Sequence, residues 1–426
     1  TPRASAATYP LASSWHAGRG ATVVEDEIAT RAAVQRRVAV RCTSDPAEVF
    51  AEIDHALQAG RCVCWVRNTV ADALEAYEQF LPRVDPGHLM LFHARFTLRD
   101  RLDMEERVLA AFGKDSKSAD RAGRLLIATQ VVEQSLDVDF DLLVTDLAPI
   151  DRVIQRAGRL CRHRRTRDGD PIADANEPDR RGEPCLWVLT PPWTDAPEPR
   201  WYKAAFPKGA AVYPHHGQLW LTAGALREGG FTMPDDARRL VEGVFGSDAE
   251  IPAGLQTNAL AAEGQGFADL TQAHTNALKF AQGYQRGGID WWSEAKTPSR
   301  LGEATSTVTL ARWLDGKLLP WVDGRHGWAY SSLRVAERLI DAEAPQEDSA
   351  RRAALEATLS ELPAHGRWTV LLPLAATAAG WIGDALAAPR KGQPPRRLTW
   401  IYDRERGLRL HEPACDEAAL KDDPET

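Results

Sequence analysis

Hydrophobic and polar positions alternate in blocks over residues 61–190. Short apolar runs are separated by longer stretches whose apolar residues recur three and four apart. Arg61–Val66 (RCVCWV), Leu89–His93 (LMLFH), Leu125–Thr129 (LLIAT), Leu142–Asp146 (LLVTD) and Leu186–Thr190 (LWVLT) read as buried strands. Val34–Val40 is a further β-branched candidate, inside an otherwise irregular first 60 residues. Thr69 N-caps a predicted helix to Leu81, with Asp72 three residues on and Val70, Ala73, Leu74, Tyr77 and Leu81 at the helical period. A second helix is predicted over Leu98–Phe112, with Leu98, Leu102, Leu109 and Phe112 on one face and Gly113 as its stop. A third opens at Asp151 and runs to about Arg162. Strands alternating with helices predict an α/β fold with a parallel, doubly wound sheet. Such sheets bind ligands beyond the carboxyl ends of their strands, which nominates Arg67–Thr69, His93–Phe96, Gln130–Asp139 and Ala148–Asp151.

The texture then changes. Residues 163–183 are rich in Arg, Asp and Pro without a period, the pattern of a solvated loop. Residues 191–254 mix Pro and Trp loops with short helices such as Pro234–Phe245, and Leu255–Tyr284 reads as a long linking helix. From Gly287, short runs of Trp, Thr and Val (Thr305–Leu310, Thr369–Leu372, Arg397–Tyr402) and a helical stretch at Leu333–Leu362 predict a small α+β domain. Eight of the 14 tryptophans lie at or after Trp291, which supports a separate C-terminal unit. The expected division is 1–190, 191–286 and 287–426.

Composition narrows the class. The 426 residues, 44% hydrophobic and 26% charged, exclude collagen-like, fully disordered and disulfide-scaffold chains and predict two or three domains. No apolar run approaches membrane-spanning length, so no membrane partner is expected. The first residues, TPRASAATYP, lack a signal-peptide pattern, and a start at Thr1 rather than Met points to processing or truncation. A net charge of −8 gives no global reason to bind nucleic acid, so only local clusters could do so. None of the six cysteines forms CxxC, so neither a zinc site nor a disulfide framework is expected and a reducing cytoplasm fits.

The candidate chemistry lies in Leu125–Arg165. On the helix from Asp151, Val153, Ala157 and Leu160 share one face, while Gln155, Arg159 and Arg162 fall on another. Gly158 inside that helix would cost about 1 kcal/mol relative to Ala, which points to a close approach. Two readings stay open: a solvated basic face, or an arginine pair that clamps a transferring phosphoryl group with planar donor forks. After Thr129 the polar residues Gln130, Glu133, Gln134, Ser135, Asp137 and Asp139 are either capping residues of a loop or a ligand wall. In the second case Asp137 would accept from a ribose hydroxyl and Thr129 would donate to a nucleic-acid phosphate.

Taken together, ATQVVEQSLD (128–137) and QRAGRLCR (155–162) resemble motifs V and VI of superfamily 2 helicases. More narrowly, ATQVVEQSLDVDFD followed by QRAGRLCRH resembles the CRISPR-associated helicase–nuclease of type I systems, subtype E branch. Arg67-Asn68-Thr69-Val70 is similar to that family's motif IV region and His93-Ala94-Arg95-Phe96 to its post-strand H-x-R-F segment. Tyr213-Pro214-His215, Trp220, Arg300-Leu301-Gly302-Glu303 and the Thr305–Leu310 strand add to the resemblance.

The resemblance implies a second RecA-like helicase domain, a linker helix and an α+β C-terminal domain. It implies an ATP-dependent translocase on single-stranded DNA, recruited by the Cascade surveillance complex, that unwinds and degrades foreign DNA. The family also has an HD nuclease with metal ions and a first RecA-like domain. The chain contains no G-x-x-x-x-G-K-[ST], no D-E-A-H and no His-Asp pair, so it corresponds to the C-terminal half. ATP with Mg²⁺ is then expected in a site completed by the N-terminal half, with no metal site in this chain and no hydrolysis by it alone. Carried over by position, Arg159 and Arg162 are arginine fingers. Gln155 is a nucleotide sensor beside Gly158, and Asp137 contacts ribose or couples ATP to DNA. Thr129, Gln130, Asn68 and Thr69 line the DNA backbone. His93 and Arg95 either touch phosphates or cap a helix, and Arg156 forms an internal ion pair.

Other features keep two readings. The run Arg162–Arg167 is a solvated loop or a DNA-backbone contact. Trp291-Trp292 packs or stacks bases. His215-His216 lacks nearby ligands at metal spacing. Three functions compete: part of a CRISPR translocase, a non-enzymatic DNA- or Cascade-binding module that acts only with a partner chain, and a superfamily 2 fragment acting on RNA. The VVEQSLDVDFD run disfavours the last.

Overall fold

A computed structural model describes residues 11–16, 23–30, 35–133, 136–174, 177–276, 305–389 and 392–411. Gln134, Ser135, Trp291-Trp292 and Arg300–Glu303 lie outside these described residues. The strands are β1 (Leu11–Trp15), β2 (Val23–Glu27), β3 (Arg36–Thr43), β4 (Val63–Val66), β5 (Leu89–Phe92), β6 (Leu125–Ala128), β7 (Leu142–Asp146), β8 (Cys185–Leu189) and β9 (Gly230–Met233). There follow β10 (Thr305–Leu314), β11 (Lys317–Pro320), β12 (Ser332–Ala336), β13 (Ala342–Glu343), β14 (Val370–Thr377), β15 (Gly380–Leu386), β16 (Arg397–Asp403) and β17 (Gly407–Leu410). The helices are α1 (Pro46–Gln58), α2 (Val70–Phe80), α3 (Leu98–Phe112), α4 (Ser118–Arg121), α5 (Ile150–Ala157), α6 (Trp201–Ala205), α7 (His216–Leu226), α8 (Ala237–Phe245), α9 (Ala253–Asn276), α10 (Gly327–Tyr330) and α11 (Ser349–Glu361).

Two compact units emerge. The first holds Thr1–Thr69, Ala76–Met90 and Val108–Leu260; the second holds Val70–Glu75, Leu91–Arg107 and Ala261–Thr426. The first is built on a seven-stranded sheet of order β5-β6-β4-β7-β8-β3-β9. The β6-β4-β7-β8-β3 run is parallel throughout, and β9 joins β3 antiparallel. Every residue of β4, β5, β6 and β7 is buried, as expected for strands covered on both faces.

Helix α1 falls in a stretch read as irregular, although its signals are present. Asp45 caps it by accepting from Ala47 N at 2.8 Å, Pro46 sits at its first turn, and Val49, Ile53 and Ala56 are buried. Trp65 on β4 meets Phe50 of α1 at 5.3 Å and Phe80 of α2 at 6.3 Å, pairs worth about 0.5–1.5 kcal/mol each beyond their burial.

Four expectations need correction. Helix α3 has the predicted limits but a different inner face: Met104, Val108, Ala111 and Phe112 are buried, while Leu98, Leu102 and Leu109 are exposed. Helix α5 ends at Ala157, so Arg159 and Arg162 are not on its surface. The stretch Leu333–Leu362 is helical only from Ser349, because Leu333 and Val335 point inward on a strand with Arg334 outward. The 162–167 run is not simply solvated, since Arg165 is fully buried.

The second unit carries an eight-stranded sheet, β11-β10-β14-β15-β16-β17, with β12 on β10 and β13 on β15. Among its pairings β10·β14 is parallel and the rest are antiparallel. One face buries Val308, Leu310, Leu372, Leu374, Trp400 and Tyr402; the other packs Leu371 and Leu318 against Leu355 of α11. The α/β fold with a parallel-rich sheet and an α+β C-terminal unit is therefore the one the pattern predicts.

Candidate functional site

In the first unit β6 ends at Ala128 on the carboxyl edge of the sheet, and β7 starts at Leu142 on the amino edge. Glu133 therefore lies toward the carboxyl edge beside α5, and Asp139 and Asp141 toward the amino edge. This corrects the expectation that all of Gln130–Asp139 faces the carboxyl-end crevice. Two buried charge clusters result, one at each edge.

At the carboxyl edge the centre is Arg156, which is fully buried. Its Nε donates to Glu133 Oε1 at 2.8 Å. Its Nη1 donates to Asn68 Oδ1 (3.1 Å), Thr145 Oγ1 (2.5 Å) and the Asp146 carbonyl (3.1 Å), and its Nη2 to Tyr213 Oη (3.2 Å). The internal ion pair expected for Arg156 is present. Asp146 accepts from Asn68 N at 3.0 Å and Arg67 Nε at 2.9 Å. Asn68 is buried, and its amide donates to the Leu147 carbonyl (2.7 Å) and Tyr202 Oη (3.1 Å). Every polar atom of the Asn68 side chain is therefore engaged internally, which leaves it nothing to offer a DNA phosphate. Thr129 is also buried, whereas Thr69 and Gln130 are half-buried and Gln130 Nε2 donates to the Asn68 carbonyl at 2.8 Å.

Past α5 the arginines take up different work. Gly158 is the C-cap of α5 with φ −61° and ψ −12°, and a Cβ there would come 3.1 Å from the Gln155 carbonyl. Arg36, which sequence reasoning did not nominate, caps this end: its guanidinium donates to the carbonyls of Ala157 (2.6 Å), Leu160 (2.5 Å) and Cys161 (2.9 Å). The half-buried Arg159 reaches back to the carbonyls of Val132 (3.3 Å) and Glu133 (2.8 Å). Arg162 pairs with Asp137 at 2.7 Å, and His163 Nε2 lies 2.8 Å from the same oxygen. Burial and the neighbouring Arg162 charge both push the Arg159 guanidinium below its ordinary pKa. Burial raises the Asp137 carboxyl, but the His163 hydrogen bond and the charges of His163 and Arg162 outweigh it and hold the group below its usual range. Gln155 is exposed and accepts from Arg152 Nη1 at 3.3 Å.

At the amino edge the centre is an anion. Asp139 is fully buried and accepts from Arg162 N at 2.8 Å, from Arg165 Nε and from Arg181 Nη1 at 3.1 Å. Arg181 also reaches Asp141 at 2.7 Å, and Arg121 reaches Asp141 at 2.8 Å. Arg165 donates further to the carbonyls of Ser116 (2.6 Å) and Gly113 (2.8 Å). The loop read as solvated is thus pinned at both ends. Nothing in the spacing of its arginines announces partners 26 to 52 residues away.

His93 and Arg95 lie in the second unit. His93 is fully buried and stacked on Phe96, its Nδ1 accepts from Arg95 N at 3.1 Å, and its Nε2 lies 3.1 Å from the Arg406 carbonyl. These partners fix the neutral tautomer with the proton on Nε2. Burial and the Arg95 charge lower its pKa to about 3, so it is no cation for a phosphate. His215 caps α7 by accepting from Gln218 N at 3.2 Å, and His216 is buried with its N–H on Asn258 Oδ1 at 2.7 Å. A cavity of about 190 Å³ opens beside the ends of β3 and β8, lined by residues such as Thr43, Thr190, Trp193 and Arg227, and none of the nominated residues lines it.

Known proteins bear on this arrangement. Residues 59–165 match the family described as CRISPR-associated nuclease/helicase Cas3, C-terminal. The chain resembles the C-terminal half of Cas3. The CRISPR-associated endonuclease/helicase Cas3 of Escherichia coli is 50% identical over 114 residues, 26% of this chain and 12% of that protein. A crystal structure of T. fusca Cas3 superposes with a TM-score of 0.66 at 25% identity, over 92% of this chain and 45% of that one. The T. fusca Cas3-AMPPNP crystal structure gives a TM-score of 0.65 at 25% identity, over 92% and 44%. The chain thus spans under half the length of the Cas3 proteins it matches. Both the Arg156 cluster and the Asp139 cluster fall within or beside the matched segment. Among the described residues no helix is long and apolar enough to cross a membrane, and no group of three or more His, Cys, Asp or Glu is placed to hold a metal ion.

Proposed function

We propose that the chain is the C-terminal part of an ATP-driven single-stranded DNA translocase of type I CRISPR interference, acting in the cytoplasm with an N-terminal half and the Cascade complex. Bound ATP would supply the γ-phosphoryl group whose transfer to water drives movement, with its phosphates and Mg²⁺ held largely by the N-terminal half. This chain's part is electrostatic. Arg159 and Arg162 stabilise the charge that develops on the phosphoryl oxygens, Gln155 senses the nucleotide, and Asp137 orients Arg162. The observation that carries this is the arginine pair itself. Burial and then Arg162's charge depress the Arg159 guanidinium, and an anion between the two arginines relieves their repulsion. Arg159 is also aimed by two backbone carbonyls, so little reorganisation is needed when the anion arrives. Thr69 and Gln130 of the first unit meet the DNA backbone, with the Asn68 carbonyl holding the Gln130 amide; Arg95 of the second unit does the same, its N–H held by His93.

The test is ATP hydrolysis with single-stranded DNA, using this chain mixed with a separately made N-terminal half of a relative. Activity is expected on mixing and not from the chain alone. Arg159→Ala should then lower kcat by about 10³-fold or more, as removal of an arginine finger does elsewhere, with the urea midpoint little changed. Hydrolysis by this chain alone, or full activity in the variant, would overturn the assignment.

A further inference from the structure

The second unit contains a grip on the segment after β5 that motif reasoning did not anticipate. The turn joining β16 to β17 closes over residues 93–97. Leu408 N donates to the Arg95 carbonyl at 2.8 Å, and His93 Nε2 donates to the Arg406 carbonyl at 3.1 Å. Arg95 N donates to His93 Nδ1 at 3.1 Å, so both main-chain groups of Arg95 are tied, one directly to the hairpin and one through His93. Tyr402 Oη accepts from Thr97 N at 3.0 Å and donates to Asp100 Oδ2 at 2.7 Å, and Trp321 Nε1 reaches the same oxygen at 3.1 Å. The Arg95 guanidinium lies 6.0 Å from the ring centroid of Trp400 on β16. Gly407 makes the approach possible. Its φ is +65°, and a Cβ there would stand 2.6 Å from the Arg95 carbonyl oxygen and 2.8 Å from the His93 ring.

We infer that the β16–β17 hairpin is a positioning element for nucleic-acid binding: it fixes the main chain and aims the guanidinium of Arg95 at a DNA phosphate. The inference rests on the reading that Arg95 touches the DNA backbone. Gly407 and His93 are the positioning residues, and neither carries charge to the ligand.

A basic residue on a phosphate contributes to the salt dependence of binding, about 0.7 in the log–log slope per contact on single strands. Titration of a fluorescent oligothymidylate into the chain over a range of salt reads that slope. Arg95→Ala should weaken binding and lower the slope by about that amount. Gly407→Ala and His93→Phe remove no charge from the ligand's path, yet each should lower the slope by a similar amount. Hydrogen exchange at residues 94–97 should quicken in both, and combining either with Arg95→Ala should add little. His93→Phe keeps the stacking on Phe96 and covers the case in which Gly407→Ala fails to fold. A wild-type slope in both neutral variants, or unchanged exchange at 94–97, would overturn the positioning role. A wild-type slope in Arg95→Ala would instead overturn the reading of Arg95 on which it rests.

Discussion

The two edges of the first unit's sheet are both organised by buried charge, with opposite signs at the centre. At the carboxyl edge a cation, Arg156, is surrounded by Glu133, Asn68, Thr145, a carbonyl and Tyr213. At the amino edge an anion, Asp139, is surrounded by Arg165, Arg181 and the Arg162 amide. Both centres are buried and held by several of the chain's own groups, while Asp146 Oδ1 and Arg121 Nε beside them are buried without a hydrogen-bond partner. The arginines between them differ. Arg159 leans on backbone carbonyls, and Arg162 on the half-exposed Asp137 in a pair worth about 0–1 kcal/mol. Arginines a few residues apart therefore differ in whether their partners are buried, which their spacing does not reveal.

The sharpest way to break this comparison is to empty the first centre. Arg156→Met leaves Glu133 buried with Arg152 as an ion-pair partner at 3.3 Å. Removing one member of a buried pair costs about 3–5 kcal/mol, so the urea midpoint should fall steeply. A loss under about 1 kcal/mol would mean the centre is no keystone.

The second centre is read through pH. Burial raises the Asp141 carboxyl, but the charges of Arg121 and Arg181 and the Cys62 amide outweigh it and lower the pKa from 3.8 to about 2. A depressed carboxylate stabilises the fold above its unfolded pKa and loses that contribution as pH falls through the folded one. Stability should therefore drop by about 2 kcal/mol between pH about 4 and about 2, at 1.36 kcal/mol per unit. Denaturant midpoints across that window should fall less in Asp141→Asn than in the parent. An equal acid fall in both would remove Asp141 from the explanation.

The smallest effect is expected between the centres. Arg162→Ala breaks a pair that is 39% and 50% exposed, worth less than about 1 kcal/mol of stability. A larger midpoint shift would place Arg162 with the structural arginines.

Much of the fold was legible. The strand Leu142–Asp146 and the limits of α3 fall where the pattern puts them, because three consecutive apolar residues and a well-placed stop are strong local signals. The face of α3 was misread because its exposed leucines also follow helical spacing, and spacing cannot say which stripe meets the core. Helix α5 was extended because Leu160 continues the period past Gly158, whereas the chain turns there and Cys161 adopts φ +44°. The candidate site was legible as motifs and not as roles. The identity of the arginines was plain, but their partners Glu133 and Asp139, and the Arg36 that caps α5, are contributed by other elements. Asn68 and His93 show the same limit: polar residues at strand ends that are consumed internally.

The double pinning of the 163–183 segment has a further outcome. Arg165 and Arg181 grasp the same carboxylate, and Arg180 N donates to the Arg165 carbonyl at 2.9 Å, so the chain between them is a closed ring hung from the fold. Lengthening such a ring costs only about 0.6 kcal/mol per doubling. Insertions or deletions between the two stems should therefore change stability little, provided Asp139, Arg165 and Arg181 are kept. The ring is the place where this scaffold can acquire new surface without disturbing its arginines.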